Sequence, residues 1–435
     1  MTPDDKYFES SEFKSKLEYY EQCIEAGHSP FMDPDDLTDI ADYYNYTWEP
    51  EKADEAIELA MELHPGATMP LVFKVRESMM FGQYKEAEEY ISQIENKDDP
   101  EVCYVKAELL IAQGKLDEAD IFLEQNYQRQ DIDSQQDFII DAAMIWDDFQ
   151  HYDRAISWTM RLDPRHLDVE ALELIARIHF GLKHYDESIK IYESIIDKKP
   201  FSMQTWYALA SAQLMNDNLE DAEKSIDFAL AIKPDNQESM LLKGNILSRM
   251  EKFDKAIDTY ERYQKIAPND MMTYINLATC YYATDNISKA REMALKALKA
   301  IDYHDKDVAL QACEQLVLLD LEQNNVEEAN KWVEMAEQIS EYAEEPLMLK
   351  AHILLYQRRL QEALNMFQDA IELSPNKRDV IMRMLASLFD NGYRKLGIIA
   401  TRYYCNMDNV TEEDLENMTP EELIAYIKQN LETKW

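Results

Sequence analysis

Residues that could carry covalent or metal chemistry are sparse in this chain of 435 residues, which holds 5 Cys, 8 His and 8 Gly. Cys23, Cys103, Cys280, Cys313 and Cys405 are widely spaced and form no Cys-x-x-Cys pair. His179 and His184 stand five residues apart, which is not a same-face helical spacing, so no shared metal ion is expected. The glycines are scattered singly and cannot build a loop that cradles phosphate. Neither Gly-x-Ser-x-Gly nor His-Glu-x-x-His occurs. His64 precedes Pro65 at a helix end, where a cation suits the dipole, and Glu327-Glu328 reads as a solvated helix start. The expectation is a protein with no catalytic residues, no cofactor and no metal.

Charge narrows the partners. The chain carries 86 Asp and Glu against 44 Lys and Arg, a formal net charge of −42. Such a field repels nucleic acid and anionic lipid, and no dense Lys/Arg run offsets it. No window reaches the roughly 20 apolar residues of a membrane helix, and the start Met1-Thr-Pro-Asp-Asp-Lys-Tyr7 does not resemble a secretory signal. An odd number of cysteines without such a signal suggests reduced thiols and a cytoplasmic location. On the same basis, the glycosylation-type triplets at Asn45, Asn286, Asn409 and Asn417 read as chance matches.

What positions these residues is an internal repeat. Small residues recur at Ala53, Ala87, Ala119, Ala155, Ser188, Ala222, Ala256, Ala290, Ala329, Ala363 and Gly397. Their spacings are 34, 32, 36, 33, 34, 34, 34, 39, 34 and 34. An apolar or aromatic residue stands three before most of them, as at Tyr84, Leu116, Tyr152, Leu219 and Phe253. Prolines close units at Pro65, Pro200, Pro234, Pro268 and Pro375. Each unit reads as two amphipathic helices: Trp206, Leu209, Ala210 and Gln213 share one stripe, and Leu219, Ala222, Ile226 and Ala229 another. One such hairpin cannot bury its apolar face alone, but a stack of them can.

In period and in the order small, aromatic, small, proline, the chain resembles the tetratricopeptide repeat (TPR) family. That resemblance implies an all-α, right-handed α-solenoid of stacked helix-turn-helix hairpins, about eleven units with helical caps. The expected organisation is a capping helix within 1–33, a solenoid over 34–411 and a second capping helix within 412–435. Register breaks are expected near 128–136 and 300–309. The first cap rests on the stripe Phe13, Leu17, Tyr20 and Ile24, closing at Gly27. The second rests on Leu423, Ile427 and Leu431. Departures from the family pattern are the single first-helix Trp, Trp206, and Gly397 in place of the usual Ala.

In this family the first helix of each unit lines a concave groove. Carried onto this register, the groove candidates are Arg76, Met79, Tyr104, Glu108, Met144, Arg177, Phe180, Tyr207, Asn245, Tyr282 and Met348, with interleaved acids such as Asp42, Glu101 and Asp147. Met and Tyr suit an adaptable surface, and carboxylates favour Lys or Arg on the ligand. The expected function is a noncatalytic scaffold or adaptor that binds a basic or amphipathic protein segment. Two alternatives are a chaperone-associated co-factor that clamps a C-terminal carboxylate and a small-ligand sensor. For the clamp, Asn245, Asn276 and Lys306 match part of the family's pattern, whereas Leu241 and Leu310 stand where cations are expected. The sequence leaves the oligomeric state open.

Overall fold

The computed structural model describes residues 7–131, 134–165, 167–299, 305–342, 344–405 and 418. It divides into two compact units, Met1–Ile232 and Lys233–Trp435. Among the described residues, regular secondary structure is helical throughout.

The first unit opens with α1 (Ser11–Glu25). Its hairpins follow as α2 (Pro34–Tyr46) with α3 (Pro50–Leu63), α4 (Thr68–Met80) with α5 (Tyr84–Gln93), and α6 (Pro100–Ala112) with α7 (Leu116–Tyr127). Next come α8 (Gln135–Asp148) with α9 (Tyr152–Thr159), α10 (Val169–Gly181) with α11 (Tyr185–Lys198), and α12 (Met203–Met215) with α13 (Leu219–Ile232). The second unit continues the pattern: α14 (Gln237–Arg249) with α15 (Phe253–Ile266), α16 (Met271–Ala283) with α17 (Ile287–Ala297), and α18 (Lys306–Glu322) with α19 (Val326–Ile339). It ends with α20 (Glu344–Tyr356) and α21 (Leu360–Leu373), then α22 (Lys377–Asp390) and α23 (Arg394–Cys405). Each unit is an α-solenoid stack of helical hairpins, six described in the first and five in the second. The second expected cap, at 412–435, lies outside the described residues.

The repeated small residue sits where the two helices of a hairpin cross. Ala87, Ala119, Ala155, Ser188, Ala222 and Ala256 are all fully buried. A larger side chain there would overpack the crossing, at a cost of about 1–3 kcal/mol. Gly397 follows the same logic with different atoms: a Cβ there would lie 2.6 Å from the Phe389 ring, which takes the volume that Ala occupies elsewhere.

Every hairpin closes in the same way. Trp48, Gly82, Gly114, Gln150, Lys183, Asp217, Glu251, Asp285, Asn324, Arg358 and Gly392 all adopt left-handed φ, from 56° to 79°. The amide that follows each of them donates back to a carbonyl of the first helix at 2.8–2.9 Å, as Gln83 does to Ser78 and Asn218 to Gln213. This is the Schellman closure, which satisfies carbonyls that a helix end leaves open.

Several first helices begin on side-chain caps. Asp99, Asp168, Ser202, Asn236, Asp270 and Asp305 each accept from a backbone amide of the following turn. At the N-terminal end, α1 buries Phe13 and Tyr20 against Leu37, Ile40, Tyr44 and Ile57. α1 thereby covers apolar surface of the first hairpin. The longest spacing falls on α18, which runs 17 residues where α16 and α20 have 13.

Candidate functional site

First helices pack side by side along α2, α4, α6, α8 and α10 of the first unit, and along α16, α18, α20 and α22 of the second. Residues at one register of these helices therefore form a continuous face. Asp42, Arg76, Glu108, Met144, Arg177, Asn245 and His352 each stand six residues before the left-handed residue of their turn. Tyr104, Tyr207 and Met348 lie four residues earlier than that register, and Met79, Asp147, Phe180 and Tyr282 three residues later. Such i−4, i, i+3 positions share one helical stripe.

In the first unit this stripe is joined by polar rungs from helix to helix. Arg76 on α4 donates from Nε to Glu108 Oε2 at 2.9 Å and from Nη2 to Glu108 Oε1 at 2.8 Å, both on α6. The same Nη2 reaches Glu101 at 3.5 Å. Tyr104 on α6 donates to Asp141 on α8 at 2.5 Å. Arg177 on α10 donates through Nε to Asp147 on α8. Asp42 on α2 adds its field to Arg76. Six carboxylates, at Asp42, Glu101, Glu108, Asp141, Asp147 and Asp148, thus gather around two guanidinium groups.

Glu101, Glu108, Asp141 and Asp147 are partly or wholly withdrawn from water, whereas Asp42 and Asp148 are exposed. Burial pushes Glu101 above the usual carboxylate range, and Arg76 opposes the shift. Asp141 is also raised by burial, against the hydrogen bond from Tyr104. Burial likewise raises Asp147, against the attraction of Arg177. Asp147 is 6% exposed, and its Oδ1 has no hydrogen-bond donor among the described residues. Arg76 is held above its ordinary value, first by its hydrogen bonds to Glu108. The face is therefore acidic, and its two cations are already engaged by its own carboxylates.

The candidates differ in how much they offer a ligand. Met144 and Tyr282 are exposed at 41% and 43%, and Arg177 is also exposed. Met79, Tyr104, Phe180 and Tyr207 are half-buried. Phe180 packs edge-on against Tyr185, with ring centroids 5.5 Å apart. Met348 belongs to the core, 4% exposed in a cluster with Phe367 and Met384. Of the clamp candidates, Asn245 accepts from the Tyr260 hydroxyl at 2.7 Å and Lys306 is paired with Glu341. Asn276 is half-buried on α16. Two of the three polar groups needed for a carboxylate are thus already engaged within the chain.

The second unit has rungs that the sequence reading passed over. Tyr282 on α16 donates to Glu322 on α18. Arg383 on α22 donates to both oxygens of Glu345 on α20 at 2.8 Å, and reaches Glu314 on α18 at 3.4 Å. His352 Nδ1 on α20 lies 2.6 Å from Ser387 Oγ on α22. Burial lowers the pKa of His352, which favours the neutral imidazole. The register rule would have found His352, because it repeats the place of Arg76 and Arg177.

Nothing in the described residues points to covalent chemistry. No group of three or more His, Cys, Asp or Glu among them is arranged to hold a metal ion. Cys23, Cys103, Cys280 and Cys313 are free thiols, and burial raises the pKa of Cys103 and Cys313 to about 11. The rings of His179 and His184 approach to 5.8 Å across the α10–α11 turn. No described helix is long and apolar enough to cross a membrane.

Comparison with known proteins bears on the repeat. Two family models, both described as tetratricopeptide repeat, match residues 173–237 and residues 237–270 and 345–377. Anaphase-promoting complex subunit 7 of Dictyostelium discoideum is 22% identical over 183 residues. That match covers 42% of this chain and spans only 31% of the relative's length. Among solved structures, yeast Tom70 aligns over 99% of this chain and 94% of its own, at 16% identity and a TM-score of 0.46. The pilus biogenesis factor PilW aligns over 49% of this chain and 98% of its own, at 16% identity and a TM-score of 0.40. Matched over residues 173–270 and 345–377, and built of one hairpin type along both units, the chain carries tetratricopeptide repeats.

Proposed function

We propose that this protein is a noncatalytic interaction scaffold whose first-helix face in the unit Met1–Ile232 holds a basic or amphipathic segment of a partner protein. The observation that carries this reading is the set of carboxylates around Arg76 and Arg177. Glu101, Asp141 and Asp147 are held above their ordinary pKa by burial, so the ionised face has a deficit of positive charge that a ligand Lys or Arg would relieve. Exposed Met144, on the same helix as Asp141 and Asp147, adds adaptable apolar contact beside these charges. The overall charge of −42 adds long-range attraction for a cationic partner. A cytoplasmic location fits free thiols and this reading of the partner.

The carboxylate clamp has less support. Its one cation, Lys306, is already paired with Glu341, and a carboxylate held without a full set of cations is a weak ligand. The small-ligand sensor remains the alternative for a single cavity rather than for the whole face.

The test is affinity purification from cell extract with the wild-type chain and with Glu101→Gln/Asp148→Asn. These two positions change the charge of the face and leave the Arg76–Glu108 and Arg177–Asp147 pairs in place. The expected result is a partner with a basic segment whose capture weakens in the variant and in high salt. A partner captured equally by both proteins at all salt concentrations would refute the proposed face.

A further inference from the structure

The second unit contains a cavity of about 160 Å³ among α18, α20 and α22, with Phe367 of α21 beneath it. Its floor is apolar and closed: Val317, Met348, Leu349 and Phe367 are each 6% exposed or less. Leu318, 38% exposed, and exposed Ala386 stand at its mouth. Two carboxylates, Glu314 and Asp390, complete the lining. A dry cavity of roughly 150 Å³ is enough to admit a benzene ring, so this one has room for a leucine or phenylalanine side chain.

The charge around the cavity is one-sided. Among the described lining residues its one Lys or Arg is Arg383, which is satisfied by both oxygens of Glu345. Half-buried His352 faces Ser387 and favours its neutral form. Glu314 is 44% exposed and meets Arg383 only at 3.4 Å. Asp390 is exposed and has no ion-pair partner among the described residues. An apolar floor under an unbalanced acidic rim is complementary to an apolar side chain with a positive charge next to it.

From this geometry we infer that the cavity is an anchor site for one leucine- or phenylalanine-sized side chain of a partner segment, flanked in that segment by Lys or Arg. The inference rests on the scaffold reading above and places a specific anchor in the unit Lys233–Trp435. It also gives a role to Met348, which forms part of the cavity floor and is not a free contact on an open face.

The probes are benzylammonium, benzyl alcohol and benzoate, which share one ring and differ in charge. Ligand-observed NMR titration of the full chain is expected to show benzylammonium binding on the order of millimolar, as suits so small a molecule. It should bind about fivefold tighter than benzyl alcohol, the upper end for one exposed ion pair, and benzoate should bind weakest. Glu314→Gln/Asp390→Asn should remove the preference for the cation and leave benzyl alcohol unchanged. Ala386→Trp, at an exposed helical position, should block all three probes, with circular dichroism confirming the fold. Equal binding of benzylammonium and benzoate, or binding unaffected by Ala386→Trp, overturns the site. If the probes fail while partner capture still responds to Glu101→Gln/Asp148→Asn, the anchor is wrong and the scaffold reading stands. If benzylammonium binds but a captured partner is indifferent to Ala386→Trp, the assignment of the cavity to a partner segment is overturned.

Discussion

Replacing Arg76 by Met should loosen the first unit locally, and the cost follows from the geometry. Arg76 is the cation of Glu108, with two hydrogen bonds of 2.8 and 2.9 Å. Glu108 has only 12% of its side chain exposed, whereas Arg76 has 46%. A fully exposed ion pair contributes about 0.2–1 kcal/mol, and removing one partner of a fully buried pair costs about 3–5 kcal/mol. Water that reaches the half-exposed guanidinium discounts the second figure, so the expected loss is about 2 kcal/mol. Because stability in a repeat array is local, a whole-chain melt would dilute this effect. Hydrogen exchange of amides in α4 and α6 is the suitable assay, and about 2 kcal/mol corresponds to roughly 30-fold faster opening. Amides in the second unit should keep their wild-type rates. Adding Glu108→Gln to Arg76→Met removes the orphaned charge and should recover most of the protection. Unchanged exchange in Arg76→Met, or a double variant as fast as the single one, would refute the account of this pair.

Three further outcomes follow from the fold and the site. Gly114 has left-handed φ of +74° and open space around a would-be Cβ, so Gly114→Ala should cost about 1–2 kcal/mol from the backbone alone, and Gly114→Asn less, in urea unfolding. Gly397→Ala should cost about 1–3 kcal/mol by pressing on Phe389, and Phe389→Leu in the same chain should relieve it. Asp141 has a folded pKa above its unfolded value, so its ionisation opposes folding; the stability it contributes is present below the unfolded pKa of about 3.9 and is lost as pH rises through the folded value. Asp141→Asn, which can still accept from Tyr104, should therefore stabilise the chain at pH 7 in urea melts and have little effect below about pH 4; equal destabilisation at both would count against the burial argument.

The repeat was legible because its cause is local and periodic. A small residue at each helix crossing and a proline at each unit end recur at a countable spacing, and all eleven hairpins stand where the series Ala53 to Gly397 puts them. The turns were less legible. Gly82, Gly114 and Gly392 announce a left-handed residue, but Trp48, Gln150, Lys183 and Arg358 take the same conformation without glycine, held by the Schellman closure of the stack. Gly397 looked like a departure until Phe389 filled its space, a compensation between residues that no single-position pattern reports. On the candidate face, residue types at the right register were readable, but their pairing was not. Arg76 and Arg177 read as ligand contacts, and the structure spends their hydrogen bonds on Glu108 and Asp147. The cavity under Ala386 was invisible because it depends on how α18, α20 and α22 pack.

The central claim is that an acidic face on the first helices recognises a cationic partner segment. It is tested most directly by stopped-flow association of the co-purified partner with the wild-type chain and with Glu101→Gln/Asp148→Asn, from 20 to 500 mM NaCl. The account predicts a wild-type association rate that falls steeply as salt shortens the screening length to a few ångströms, and a slower, flatter response in the variant. Identical rates and identical salt slopes for the two proteins would contradict it.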